Sequence, residues 1–164
     1  GVSTRALEAA TSLPASSLYH RFGSKDGLFA AALDHYLVRV VEVRIRRYLA
    51  HDDARAGLRE FFTSVYRARG PYRACLLANT LTGPAARLPA IAPRVAAGTA
   101  HMRAALADTV RRGIAQQVMR PDLDVDVAAG FLLTALYGLL DTARHERDPA
   151  RLDAQVDLIL GVLS

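Results

Sequence analysis

The chain has 164 residues, 51% of them hydrophobic, with 21 basic against 16 acidic residues and a formal net charge of +5. That length suits one globular domain or a small head on a larger body, and so much apolar content excludes a disordered chain. A single cysteine, Cys75, excludes an intrachain disulfide and fits a reducing cytoplasm.

The charge is unevenly spread: seven basic and four acidic residues over 1–51, eleven and four over 52–120, three and eight over 121–164. The net charge permits nucleic acid as a partner, but the N-terminal third is not the most basic part, so charge alone does not locate an interface. All basic residues but Lys25 are arginines, which reads as genomic composition.

In residues 3–28, Leu7 and Ala10, then Leu13, then Leu18, Tyr19 and Phe22 fall at three- and four-residue steps, broken by Thr11-Ser12-Leu13-Pro14. This predicts helix, tight turn, helix. Ser3 or Thr4 can cap the first helix, Pro14 suits the first turn of the second, and Ser24 caps a third. The small residues Ala15, Ser16 and Ser17 open the second helix, which suits a helix whose N-terminal end must come close to DNA base edges.

Residues 25–49 carry a sustained helical stripe from Leu28 to Ile45, ended by His51-Asp52-Asp53. Its basic end, Arg44, Arg46 and Arg47, reads as a solvated terminus that compensates the helix dipole. A second amphipathic helix is predicted over 54–69, a short segment over 72–81, and one long helix over 90–119, within which Gly98 and Gly113 are candidate breaks. Asp122, Asp124 and Asp126 alternate as in a calcium loop. Val127 and Leu133 stand where that loop needs glycine and glutamate, so the acids are read as helix-start residues. Residues 125–147 are apolar nearly all round for four turns. With Asp126 and Thr134 inside, the apolar run 125–140 is too short for a comfortable membrane span and reads as a buried helix. A final helix is predicted over 151–163. No strand-like alternation, repeat or low-complexity segment competes, so the fold class is all-α.

The motif residues resemble those of the TetR family of transcriptional regulators. Ser3-Thr4-Arg5 with Leu7, then Leu18-Tyr19, Phe22, Ser24-Lys25 and Leu28, stand at that family's spacing. The resemblance implies a helix-turn-helix DNA-binding head over 1–46 and an effector-binding and dimerisation body over 47–164. It also implies a further helix ahead of these two, completing a three-helix head. Two positions depart from the family. Ser12 replaces the usual glycine of the turn, where a left-handed backbone costs a non-glycine residue about 1 kcal/mol. Glu8 stands where a small residue is preferred, which bears on packing beneath the first helix.

Carried onto this sequence, the resemblance assigns base contacts to Arg5, Ala15, Ser16, Ser17 and His20, and phosphate contacts to Ser3, Thr4, Tyr19, Arg21 and Lys25. Arg5 suits a guanine edge, Ala15 a thymine methyl, and the donors of Tyr19 and Lys25 suit phosphate oxygens. The implied partners are double-stranded operator DNA, a largely apolar small-molecule effector, and a second copy of the chain through the last two helices; no cofactor, metal or membrane is implied. The candidate effector residues are Phe62, Tyr66, Tyr72, Leu77, Asn79, His101, Met102 and Phe131, with Tyr66, Tyr72, Asn79 and His101 as polar anchors. Aromatic and Met residues at helical spacing are mostly core. Arg69, Arg73, Arg94 and Arg103 leave an anionic effector open, solvated arginine being the simpler reading. Cys75 reads as a small buried hydrophobe ahead of a thiol sensor.

Two other classes compete. An enzyme would show a signature such as H-E-x-x-H, G-x-S-x-G, a phosphate-cradling glycine loop or paired metal cysteines, and the chain has none. A helical interaction protein with a non-functional DNA motif is the alternative to a ligand-responsive regulator, most simply a repressor released from a palindromic operator.

Overall fold

The computed structural model describes residues 4–67 and 75–164, and every regular element among them is a helix. The N-terminal unit is α1 (Thr4–Thr11), α2 (Ala15–Phe22) and the start of α3 (Lys25–Tyr36). Beyond Tyr36 the backbone stays helical through a wide π-helical segment (Leu37–Val41), a single turn α4 (Glu42–Arg44) and a second π-helical segment (Ile45–Leu49). Residues 25–49 therefore form one rod, roughly 35 Å long at helical rise.

The body follows as α5 (Ala54–Arg67), α6 (Leu76–Thr82), a 3-10 turn (Pro84–Arg87), α7 (Ala92–Ala115), α8 (Val125–His145) and α9 (Pro149–Gly161). Asp side chains start three of these helices. Asp53 accepts from the Ala56 amide at 2.9 Å, Asp124 from those of Asp126 and Val127 at 2.9 and 3.0 Å, and Asp148 from that of Ala150 at 2.9 Å. Capping accounts for Asp124, and the last helix starts two residues before the predicted 151 because Pro149 occupies its first turn behind this cap.

α7 ends four residues short of the predicted 119. The chain turns at Gln117, which has a φ of +59°, and the Val118 and Met119 amides fold back onto the Gly113 carbonyl at 3.0 and 3.2 Å. Gly98 and Gly113 do not break the helix; both are buried points of close contact within it. A Cβ on Gly98 would lie 2.7 Å from Leu37 Cδ2 on the rod, and one on Gly113 would meet the side chain of Met119.

Two apolar clusters hold the molecule together. The larger joins α5, α7, α8, α9 and the far half of the rod around Phe61, Phe62, Leu106, Val110, Leu132 and Val156. The smaller, Ala30, Leu33, Leu77, Ile91 and Val95, fastens the near half of the rod to α6 and the start of α7. α8 is long and apolar enough by composition to cross a membrane, yet its buried face, from Ala128 to Ala143, is the centre of the larger cluster. Its other face exposes Val127 and Phe131 beside Gly138, and α9 exposes Leu158 at 75% and Val162 at 51%.

Candidate DNA-reading head and body cavity

Three local devices fix the angle between α1 and α2. Ser12 takes the left-handed conformation, φ +56°, that the sequence predicts at the turn. Thr11 Oγ1 donates to the Leu7 carbonyl at 2.7 Å and accepts from the Leu13 amide at 3.4 Å. Pro14 is the cap residue of α2 and not part of its first turn: its backbone is extended and its ring offers no side-chain acceptor. The capping acceptor comes from α1, where Glu8 Oε1 takes the Ala15 amide at 2.8 Å. Glu8 is thus exposed and useful, and does not crowd the packing under α1. A carboxylate at a helix start both satisfies an orphan donor and matches the helix dipole.

α2 buries Leu18 inward and half-buries Phe22. Ser16 and His20 lie about 160° around the helix from Leu18, on the solvent side, with Ser17 and Arg21 exposed beside them. Ala15 and Tyr19 are half-buried. Gly23, at φ +76°, ends α2, and Ser24 Oγ accepts from the Gly27 amide at 3.0 Å to start α3, as its sequence signal predicts. Only glycine fits at 27, since a Cβ there would lie 2.1 Å from the Phe22 carbonyl oxygen. Arg5 and Lys25 are exposed on α1 and α3; Thr4 opens α1 and does not cap it, and Ser3 lies outside the described residues.

The rod carries this head to the body. Asp34 pairs with Arg94 of α7 at 2.8 Å and Glu42 with His101 at 2.6 Å, while Arg112 donates to the carbonyls of Leu49 and, at 2.7 Å, His51. Glu42 also holds Arg46 at 2.5 Å, and these two partners keep its carboxyl below the ordinary range. The predicted solvated terminus is correct for Arg46, which is exposed, but not for Arg44. Arg44 Nη2 donates to the Phe61 carbonyl at 3.3 Å and Ser64 Oγ at 2.9 Å, with its guanidinium 5.2 Å from the Phe61 ring centroid.

Beside Arg44 lies a small cavity of about 20 Å³, lined by Tyr36, Val40, Val41, Arg44, Phe61, Cys75, Met102, Leu136 and Leu140. That is room for roughly one water. Burial, and next Cys75, push the Tyr36 hydroxyl well above its ordinary range, so it stays protonated and a donor. Nearby, the Thr99 and Tyr137 hydroxyls are buried against one another, and burial raises Tyr137 as well.

Of the seven sequence-predicted effector residues that are described, the structure brings only Met102 to this cavity. Phe62 is fully buried core, and Leu77 belongs to the rod-to-α6 cluster. Tyr66 donates its hydroxyl to Asp153 of α9, which also accepts from Arg67 at 2.8 and 2.9 Å. Asn79 is exposed and accepts from Arg144; His101 is exposed on the rod's flank; Phe131 is 38% exposed on the outer face of α8. Tyr72, with Arg69 and Arg73, lies outside the described residues. Sequence reasoning missed Tyr36, Val40, Val41 and Arg44 because they sit on the rod, which reads as a connector. The usable signal was Arg44 itself, a charge between Val41 and Ile45 inside the apolar stripe.

Residues 1–32 match the family described as bacterial regulatory proteins, tetR family, and residues 50–159 match the tetracyclin repressor-like C-terminal domain. No curated protein sequence matches. Among solved structures, a cysteine mutant of the TetR family transcriptional regulator CifR, complexed with 26bp double-strand operator DNA, is 32% identical, with a TM-score of 0.83 over 100% of this chain and 87% of that one. A TetR transcriptional regulator from Chloroflexus aurantiacus is 25% identical over 98% of this chain and 83% of its own, with a TM-score of 0.81. A TetR family regulator from Cytophaga hutchinsonii, 23% identical over 99% and 83%, shares the fold with a TM-score of 0.83.

Proposed function

The chain belongs to the TetR family of DNA-binding transcriptional regulators, which are not enzymes, and on that premise we propose that it is a homodimeric repressor released from a palindromic operator by a small molecule. The observation that carries this reading is the rod. One uninterrupted helix bears Lys25 at the DNA end and Tyr36, Val40, Val41 and Arg44 in the cavity wall. A ligand that opens the cavity pushes on the same rigid body that aims the head. Over the roughly 25 Å between Lys25 and the cavity, a tilt of about 10° moves the head by about 4 Å, enough to spoil the fit to successive major grooves.

In this account residues 1–46 read DNA and 47–164 bind effector and partner, the rod spanning the boundary. Arg5, Ala15, Ser16, Ser17 and His20 approach bases; Ser3, Thr4, Tyr19, Arg21 and Lys25 approach phosphates. The exposed apolar face of Val127, Phe131, Leu158 and Val162 is where a second copy packs, making a four-helix interface from α8 and α9 of each chain. Neither Gly138 nor Gly161 has an atom within 4 Å of where a Cβ would stand, so a partner helix has room to come close.

The test is selection from a randomised duplex library at fixed salt. The reading expects enrichment of a palindrome, lost in Tyr19→Ala and Lys25→Ala, and lost with dimerisation in Leu158→Glu. A folded dimer that enriches no sequence even at low salt refutes it.

A further inference from the structure

Arg44 is the one cavity-lining residue with a permanent charge, and among the described residues it has no acidic partner. Its two hydrogen bonds both leave from Nη2 and both go to neutral oxygens, on Phe61 and Ser64; Nε and Nη1 donate to no described residue. Two acids of the rod are committed elsewhere, Glu42 to Arg46 and His101, and Asp34 to Arg94. The rest of the wall is apolar apart from Tyr36 and Cys75. Arg44 is half-buried where its side chain lines this cavity, and a neutral ligand filling the space would strip further hydration from a guanidinium that no acid balances.

From this we propose that the effector is a small organic acid, an apolar body with one carboxylate that pairs with the free edge of the Arg44 guanidinium and accepts from the Tyr36 hydroxyl. The inference rests on the reading of this cavity as the effector site. A planar carboxylate matches the fork of Nε and Nη1, which a single point charge or an amide does not. The apolar body packs among Val40, Leu136 and Leu140. A doubly charged phosphate would leave excess negative charge against apolar walls, and a cation would be repelled. At about 20 Å³ the cavity is too small for such a ligand, so binding requires displacement. Met102, unbranched and held between the rod and α8, is the side chain best able to move. Opening there separates the rod from α8, which gives the liganded state the differential contacts that a population shift needs.

The test uses the intact dimer and its selected operator. Acetate, butanoate, hexanoate, benzoate and phenylacetate are each compared with the matching primary amide, by calorimetry and by displacement of labelled operator. The proposal expects at least one acid to bind about tenfold or more tighter than its amide and to release DNA. Arg44→Gln, which keeps donors for Ser64 and Phe61, erases that preference; Ser64→Ala, which weakens the clamp but keeps the charge, retains it. An amide that matches its acid in the wild-type chain overturns the proposal, as does an Arg44→Gln variant that still discriminates or a series in which no acid binds. Met102→Trp separates the two levels of inference. If this filled cavity alters operator affinity while no acid binds, the cavity reading stands without the anion. If it changes nothing and no compound binds, both fall.

Discussion

Replacing Glu8 by alanine removes the only side-chain acceptor, among the described residues, for the first amide of α2. Loss of a helix cap costs about 1 kcal/mol, within a range of roughly 0.5–2, and loss of a negative charge at the helix start adds about 0.3–1 kcal/mol before screening. An opposing effect exists, because Glu8 is also an anion near DNA. At about 9 Å from a phosphate in water its repulsion is roughly 0.5 kcal/mol, cut further by salt over a Debye length of about 8 Å. The cap therefore wins. About 1 kcal/mol per head is roughly fivefold in affinity, and two heads on one operator make about 25-fold for the dimer. Fluorescence anisotropy on the selected operator measures this, with Glu8→Gln as the control that keeps an acceptor and loses the charge. Glu8→Ala is expected to bind about 25-fold more weakly and Glu8→Gln within about threefold of wild type. A Glu8→Ala variant that binds as tightly as wild type, with its helix content intact, refutes the claim that Glu8 sets the reading helix.

Ser12→Gly relieves a left-handed serine, and a gain of about 1 kcal/mol in a chain of this size raises the melting temperature by about 2–4 °C; a fall instead means the Ser12 side chain makes a contact worth more than the strain. Gly57→Ala and Gly98→Ala are expected to differ although both gain about 1 kcal/mol of helix propensity. A Cβ at 57 would lie 2.4 Å from the Tyr48 carbonyl, which cannot move without the rod, so this variant loses about 1–3 kcal/mol; at 98 the nearest atom is the movable end of Leu37, so the net change is under about 1 kcal/mol in urea titration. Equal effects would contradict the packing described here. The Asp153 carboxyl is held below its ordinary value of 3.8 by Tyr66 first and then Arg67. A carboxyl depressed in the folded state adds stability that is present above the unfolded value and lost as pH falls through the folded one. Acid titration is therefore expected to weaken the attachment of α9 below about pH 4, by a modest amount because the carboxyl is partly open to solvent and its partner Arg67 is exposed, and Asp153→Asn is expected to flatten that part of the profile.

The head was legible from residues 3–28 because its signals are local. Ser12 in a left-handed turn, Ser24 as a cap and Leu18 facing inward each follow from the residue and its immediate neighbours. Glu8 was misread because its role spans seven residues across a turn, and only the fixed turn geometry brings its carboxylate to Ala15. In the body, helix periods came through, while boundaries shifted where a tertiary contact decided them, as with Met119 folding onto Gly113. The cavity was the least legible part. Periodicity places Tyr36, Val40, Val41 and Arg44 on the rod's stripe, but not which of them face a gap between α5, α7 and α8. Conversely Tyr66 and Asn79, plausible anchors by residue type, spend their polar groups on Asp153 and Arg144 at the outer surface.

The central claim is that the cavity and the DNA-reading head are coupled through the rod, and the distance between the two heads of the dimer tests it most directly. With spin labels at position 9 of both chains, exposed on α1 and assigned no DNA contact, in a Cys75→Ser background, double electron–electron resonance is recorded on the operator-bound protein with Met102 and with Met102→Trp. The account expects one narrow distribution for the Met102 protein, set by heads seated in two successive major grooves roughly 34–36 Å apart, and one in Met102→Trp displaced by several ångströms with weakened operator binding. Identical head spacing in the two proteins, with the cavity shown to be filled, would contradict it.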